Sequence, residues 1–145
     1  MSLFISIDPG TKKCGLLLAD MKSGKVVEAG ICSLNKLSDL VSLWNENYQV
    51  NKIIIGDGTN CRNIENDLKQ KNIINLNYIN ERGSTLRARF RYWEIWPPNY
   101  FIRWLPKEML FPPDNLDAVV ALILLEDFLN YKFTWPDRVD IKIWL

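Results

Sequence analysis

The chain has 145 residues, and its composition excludes several classes of protein and of chemistry. Hydrophobic residues make up 48% and charged residues 24%, which is typical of a globular domain with a core of its own. A net charge of +1 excludes a globally basic nucleic-acid-binding protein, so only a local patch could bind nucleic acid. The chain has no histidine, which excludes histidine as a catalytic base or metal ligand. Any hydrolytic chemistry must therefore depend on carboxylates, on lysine or on a carboxylate-bound metal ion.

Cysteine usage and hydropathy predict a cytoplasmic protein. The three cysteines, Cys14, Cys32 and Cys61, have neither metal-ligand nor redox spacing, so we expect reduced thiols. No apolar run approaches the length that spans a bilayer, and the N-terminus lacks the pattern of a secretory signal. We therefore expect no membrane association.

The first third of the chain predicts a three-stranded antiparallel meander followed by a helix. The first strand ends at Asp8, because Pro9 cannot donate to a strand ladder and Gly10 allows the chain to turn. Apolar β-prone runs and helical spacing predict strands over 3–7, 14–19 and 26–33 and a helix over 37–48.

The remainder predicts two parallel strands and three helices around a long loop. The predicted elements are a strand over 52–56, a helix over about 63–71, a strand over 73–79, a helix from 84 to about 93 and an apolar helix over 116–129 that Asp114 or Asn115 caps. Residues 95–113, rich in proline and aromatic side chains, predict an ordered flap. Residues from about 132 to 145 are predicted to be a C-terminal extension with a short edge strand near 139–144. The whole chain, 1–145, is predicted to be one α/β domain with a mixed five-stranded sheet, three strands antiparallel and two parallel, flanked by helices.

Three acidic residues fall at the ends of these elements. Asp8 ends the first strand, Glu81 follows the last central strand, and Asp117 lies in the first turn of the last helix. Sites in α/β proteins gather at strand ends, so we expect these side chains to converge and at least one to titrate above about 4. Divalent cations would relieve the repulsion, and two Mg²⁺ or Mn²⁺ ions about 3.5–4 Å apart could activate water for attack on a phosphodiester. The alternative for Asp8 is a plain Asx turn.

Basic residues near these acids predict contacts with nucleic acid. Arginine alternates with aromatic side chains over 85–92, a combination that can bind phosphates and stack on unpaired bases. The alternative is a solvated helix face or turn. The basic candidates are Lys12, Lys13, Arg82, Arg87, Arg89 and Arg91, with Arg103 and Lys107 nearby in the flap.

Four segments, in the same order along the chain, resemble the YqgF/RuvX-type members of the RNase H-like superfamily. They are Phe4–Gly15, Ile53–Gly56 with Asn60, Asn80–Thr85 and Asp117–Glu126. This family is described as Holliday junction resolvases and as pre-16S rRNA processing nucleases. The resemblance implies an RNase H-like fold and a metal-dependent endonuclease that cleaves branched DNA or structured precursor rRNA.

The resemblance also implies roles for individual residues. It makes Asp8, Glu81 and Asp117 the catalytic and metal-binding acids for Mg²⁺ or Mn²⁺, with Asp114 as an alternative or additional ligand. It adds a second group to the nucleic-acid-binding candidates, namely Asn60, Ser84 and Thr85. A junction resolvase cuts two strands symmetrically, so a homodimer is implied.

The chain departs from the family pattern at several positions, which keeps other hypotheses open. Asn80 and Gly83 stand where the family has aspartate and leucine, and 57–59 lacks the usual proline. The second hypothesis is therefore a non-catalytic nucleic-acid-binding or scaffold protein on the same fold. A third, the phosphate loop of an actin-like sugar kinase, is disfavoured because those enzymes close two such domains around a nucleotide.

Overall fold

The computed structural model describes residues 1–106, 109, 112 and 116–145. These residues form six strands and four helices in the order β1 (Leu3–Asp8), β2 (Lys13–Asp20), β3 (Lys25–Ser33), α1 (Leu34–Tyr48), β4 (Lys52–Gly56), α2 (Cys61–Gln70), β5 (Leu76–Ile79), α3 (Ser84–Ile95), α4 (Leu116–Leu129) and β6 (Ile141–Trp144). The predicted caps of α4, Asp114 and Asn115, lie outside the described residues. Within the described residues, no helix is both long enough and apolar enough to cross a bilayer.

All six strands belong to one mixed sheet of order β5-β4-β1-β2-β3-β6. The strands β1, β2 and β3 form the predicted antiparallel meander, and β4 and β5 extend it in parallel beside β1. The α/β mixed sheet is therefore confirmed, with six strands rather than five, because the short edge strand predicted near 139–144 joins the sheet as β6. The sixth strand, β6, pairs in parallel with β3, and the Trp144 ring packs edge-on against Trp44 with the centroids 5.8 Å apart. A side chain at Gly30 would collide with Trp144, so the glycine makes room for this strand.

Helices cover both faces of the sheet, and alternate side chains of β1 pack against the helices on opposite faces. Leu3, Ile5 and Ile7 pack with the buried residues of α1 and α2, whereas Phe4 packs with α4. Successive side chains of a strand point to opposite faces. The last residue of β1, Asp8, therefore belongs to the α4 face.

Helix α4 is apolar nearly all round because it is covered on two sides. One side packs on the sheet, and the other packs against α3 through Ala88. The two helices run in the same direction: Ser84 and Asp117, in their first turns, line one cavity, and Arg91 near the end of α3 binds Glu126 near the end of α4. The flap must therefore lead from the end of α3 back to the beginning of α4.

Candidate active site

The first turn of α4 approaches the backbone of β2 closely, directly beside the end of β1. Asp8 is the register partner of Gly15 on β2. A Cβ atom at Gly15 would overlap the backbone carbonyl of Asp117, so only glycine allows α4 to come this near. The side chains of Asp8 and Asp117 are each half-buried there. The structure thus brings together two acids that are far apart in sequence.

Glu81 reaches the same region across the loop that follows β4. Its carboxylate lies over Gly56 and Gly58, and a Cβ atom at either glycine would collide with it. The Glu81 backbone N–H donates to Asp57 Oδ1 at 3.2 Å. Glu81 Oε2 is buried and has no hydrogen-bond partner. Sequence reasoning missed Asp57 and the roles of both glycines, although a Gly-Asp-Gly run directly after a buried parallel strand was a signal for them.

Asp8, Glu81 and Asp117 line one cavity of about 520 Å³ at this edge of the sheet. We call it the acid cavity. The rest of its wall is short and polar, and consists of Pro9, Gly10, Thr11, Lys12, Lys13, Ser84 and Thr85. Three carboxylates and two lysines therefore share one open space.

The electrostatics of the acid cavity favour protonated acids when no cation is bound. Burial raises the pKa of Asp8 to about 8, and the negative charges of Asp117 and Glu81 add to the rise. Burial also raises the pKa of Glu81, with a further contribution from Asp57. Burial raises the pKa of Asp117, while the positive charge of Lys13 opposes it. The expectation that at least one acid titrates above its ordinary value is thus confirmed.

The donor chemistry of the acid cavity suits a hard divalent cation. Its acids offer only oxygen ligands, and Glu81 Oε2 is a buried acceptor without a partner. A cation beside Asp8 would restore the ionised form that burial and the neighbouring acids disfavour. In the part of the chain that the structure describes, no three acidic or cysteine side chains are already arranged as a set that could hold a metal ion. The proposed additional ligand, Asp114, lies outside that part.

The nucleic-acid-binding candidates that line the acid cavity differ in exposure. Lys12, Lys13 and Thr85 are exposed at its rim. Ser84 is buried, and its hydroxyl group donates to the Glu81 backbone carbonyl at 2.6 Å. Ser84 therefore holds the turn that carries Glu81, whereas the lysines face solvent.

Two further candidates lie beside the acid cavity. The Asn60 side-chain amide donates to the Gly10 carbonyl at 2.7 Å, which ties the loop after β4 to the turn after β1. Asn60 therefore supports the turn next to Asp8. Arg82 is exposed, and its backbone N–H donates to Asn80 Oδ1 at 2.7 Å.

Two arginines of α3, Arg87 and Arg91, line a different cavity, formed between α3 and the end of α4. Arg87 makes two hydrogen bonds of 2.6 Å to the Asp127 carboxylate. Arg91 is buried, where it binds Glu126 at 3.0 Å and the Phe133 carbonyl at 2.6 Å. A phosphate would have to displace these carboxylates. The third candidate on this helix, Arg89, is half-buried, and Lys107 lies outside the described residues.

Comparisons with known proteins find likeness in structure but not in sequence. No protein-family model matches the chain, and no curated protein matches it. The large terminase nuclease from thermophilic phage G20c matches with a TM-score of 0.58 and 12% identity over 87% of this chain and 81% of that chain. The same nuclease with bound zinc matches with a TM-score of 0.57 and 12% identity over 87% and 80%. RuvC of T. thermophilus in complex with a Holliday junction substrate matches with a TM-score of 0.51 and 9% identity over 90% and 96%. These likenesses show the fold, which is RNase H-like.

Proposed function

We propose that this chain is a metal-dependent endonuclease that hydrolyses phosphodiester bonds. The observation that carries the proposal is the acid cavity, in which Asp8, Glu81 and Asp117 meet with raised pKa values. The fold supports it, since the similar solved structures are a terminase nuclease and a RuvC bound to a Holliday junction. The finer resemblance to the YqgF/RuvX type rests on the four sequence segments described above.

The acids and the lysines of the acid cavity have different roles in this proposal. Asp8, Glu81 and Asp117 would hold Mg²⁺ or Mn²⁺, with Asp114 as a further candidate ligand. In such sites a divalent ion activates water and stabilises the leaving oxygen. Lys12 and Lys13, exposed at the rim, would pair with phosphates on either side of the cleaved bond.

We propose branched DNA as the first substrate class to test and structured precursor rRNA as the second. The RuvC structure was solved with a Holliday junction, which favours the first class. The YqgF/RuvX resemblance supports both. Symmetric cleavage of a junction would need two copies of the chain, so the proposal includes a homodimer.

The test is cleavage of four-way DNA junctions, precursor rRNA and a linear duplex with Mg²⁺, with Mn²⁺ and with a chelator. The variant Asp8→Asn should lose at least about 100-fold in rate, since a metal ligand contributes several kcal/mol. The matched control is Asp39→Asn, which neutralises an exposed acid on α1. Equal rates for the wild type and Asp8→Asn would refute the catalytic claim.

Two observations favour a second function, a nucleic-acid-binding protein without catalysis. The described acids do not already form a set that could hold an ion, and Asn80 and Gly83 depart from the family pattern. This alternative requires binding without cleavage, and the binding must survive Asp8→Asn. Metal-dependent turnover would exclude it.

A further inference from the structure

The described part of the flap exposes three large aromatic side chains within five residues. Tyr100, Phe101 and Trp104 are 72%, 77% and 76% exposed, and we call them the aromatic tip. Tyr100 and Phe101 pack edge-on with their ring centroids 5.9 Å apart. Single exposed apolar residues are common in proteins, whereas exposed apolar side chains grouped in this way mark an interaction surface. None of the three contributes to the buried core clusters of the described chain.

The aromatic tip is presented by a hydrogen-bonded turn. The backbone N–H groups of Ile102 and Arg103 both donate to the Asn99 carbonyl, at 2.9 and 3.0 Å. The Trp104 indole N–H donates to the Phe101 carbonyl at 2.5 Å. These bonds fix the backbone beneath the rings, so less conformational entropy is lost when a partner binds.

The charge of this segment favours an anionic partner with flat faces. Over residues 96–106 the sequence has one charged side chain, Arg103, and no acidic one. The Arg103 guanidinium lies 5.5 Å from the centroid of the Tyr100 ring. Exposed rings next to an arginine are the combination that stacks on bases and pairs with phosphates. Bases within a duplex are already stacked, so the accessible ones are unpaired.

The position of the flap relates the aromatic tip to the acid cavity. Helices α3 and α4 run side by side from that cavity, and the flap returns from the far end of α3. Helix α3 has 12 residues, so it spans about 18 Å. A strand bound near the far end of α3 would therefore have to run about 18 Å along this helix to enter the acid cavity.

We propose that the aromatic tip stacks on unpaired bases of a nucleic-acid strand, and so selects single-stranded or branched substrates. This inference rests on the proposed function, since the same strand would enter the acid cavity. The aromatic tip would distinguish substrates with unpaired bases from plain duplex.

The test measures binding in the presence of a chelator, so that no cleavage occurs. The probes are a labelled 12-nucleotide single-stranded DNA and a 12-base-pair duplex of the same sequence. Tyr100→Ala and Trp104→Ala should each weaken binding of the single strand about 5- to 100-fold, the range for loss of one stacked base. Binding of the duplex should change less than twofold. The control is Ile74→Ala, which removes an 83% exposed apolar side chain just before β5 and should change neither.

Unchanged binding of the single strand by both variants would overturn the inference. It would also be overturned if the variants convert a dimer into a monomer in sedimentation at unchanged affinity, because the tip would then bind a second copy. Tyr100→Phe keeps a ring and should retain affinity, which separates stacking from a structural role. Failure of the nuclease proposal is distinguishable, since the tip-dependent preference needs no metal and no cleavage.

Discussion

The Ser6 hydroxyl group donates a buried hydrogen bond of 2.7 Å to the backbone carbonyl of Ala121. Ser6 lies two residues before Asp8 on the same face of β1, and Ala121 lies one helical turn after Asp117 on α4. The bond therefore fixes the register between the strand and the helix that supply two of the three acids. It holds these acids in place without touching the acid cavity itself.

Replacing Ser6 with alanine should lower the free energy of unfolding by about 1 kcal/mol, the usual contribution of one hydrogen bond. Urea denaturation of the metal-free protein measures it. Ser23→Ala is the control, because Ser23 is exposed and its hydroxyl contact to the Asp20 carbonyl is long, at 3.5 Å. An equal effect of the two substitutions would contradict the role given to Ser6.

Gly58→Ala should displace the Glu81 carboxylate while leaving the fold intact. The new Cβ atom would overlap that carboxylate, which lies at the end of a flexible side chain, and Gly58 has no positive φ angle. We expect weaker Mn²⁺ binding, by about 10-fold or more, as for loss of support around a ligand. Calorimetric titration measures it.

The double variant tests the reason for this effect. In a Glu81→Ala background, Gly58→Ala should change Mn²⁺ affinity no further, because the carboxylate that it displaces is absent. Additive losses would mean that Gly58 acts through the loop backbone rather than through Glu81.

The stability of the metal-free protein should fall as the pH rises from about 4 to about 8. Within this window folded Asp8, with a pKa of about 8, holds a proton that an unfolded aspartate with a pKa of 3.8 has released. The free energy of unfolding therefore decreases with pH, by at most about 1.4 kcal/mol per pH unit for this group. Urea denaturation at several pH values, with a chelator present, measures the slope. Asp8→Asn should reduce the slope of the free energy of unfolding against pH. An unchanged slope would mean that a group other than Asp8 binds the proton.

Mg²⁺ or Mn²⁺ should raise the melting temperature of the wild type. An ion that binds only the folded state adds about 2.7 kcal/mol at 100 times its Kd. Asp8→Asn should abolish the rise, and its stability without metal should equal or exceed that of the wild type, because one of the mutually repelling acids is gone. Asp39→Asn should respond as the wild type does. An identical metal response of Asp8→Asn and the wild type would show that the three acids do not form one site.

The two arginines of α3 that bind α4 should differ sharply when replaced by methionine. Arg91→Met leaves the largely buried Glu126 carboxylate without its cation, so we expect a loss of about 3–5 kcal/mol of stability. Arg87→Met breaks an exposed pair with Asp127 and should cost less than about 1 kcal/mol. Thermal or urea unfolding measures both. Losses of similar size would contradict the conclusion that the Arg91–Glu126 pair is buried while the Arg87–Asp127 pair is exposed.

The sequence predicted the parts of the fold that local pattern determines. Apolar runs located β1 to β4, and the positions of Asp8, Glu81 and Asp117 at element ends were enough to infer that they meet. The edge strand predicted near 139–144 is present as β6, but its parallel pairing with β3 could not be predicted, because the contact between Trp144 and Trp44 joins residues 100 positions apart and short runs such as 141–144 carry little signal alone.

The sequence pattern did not predict which residues the charged side chains bind. Arg91 looked like its neighbours in the basic stretch 85–92, and nothing local indicates that Glu126 and the Phe133 carbonyl enclose it. The position of the Glu81 carboxylate over Gly56 and Gly58 could not be predicted either, because β4 and β5 are adjacent only in the folded sheet. The assignment of Lys12 and Lys13 to phosphate binding stays a prediction.

The tie between Ser6 and Ala121 has a consequence for the order in which the chain folds. It joins residues 115 positions apart, and the pairing of β1 with β4 is also non-local, so much of the chain must be ordered before these contacts form. Interactions that form after the rate-limiting barrier slow unfolding and leave the folding rate nearly unchanged. A cation held by Asp8 and Asp117, as proposed, would join β1 to α4 and should therefore stabilise the native state more than the transition state for folding. It should lengthen the lifetime of the native state while the refolding rate stays as it is without metal.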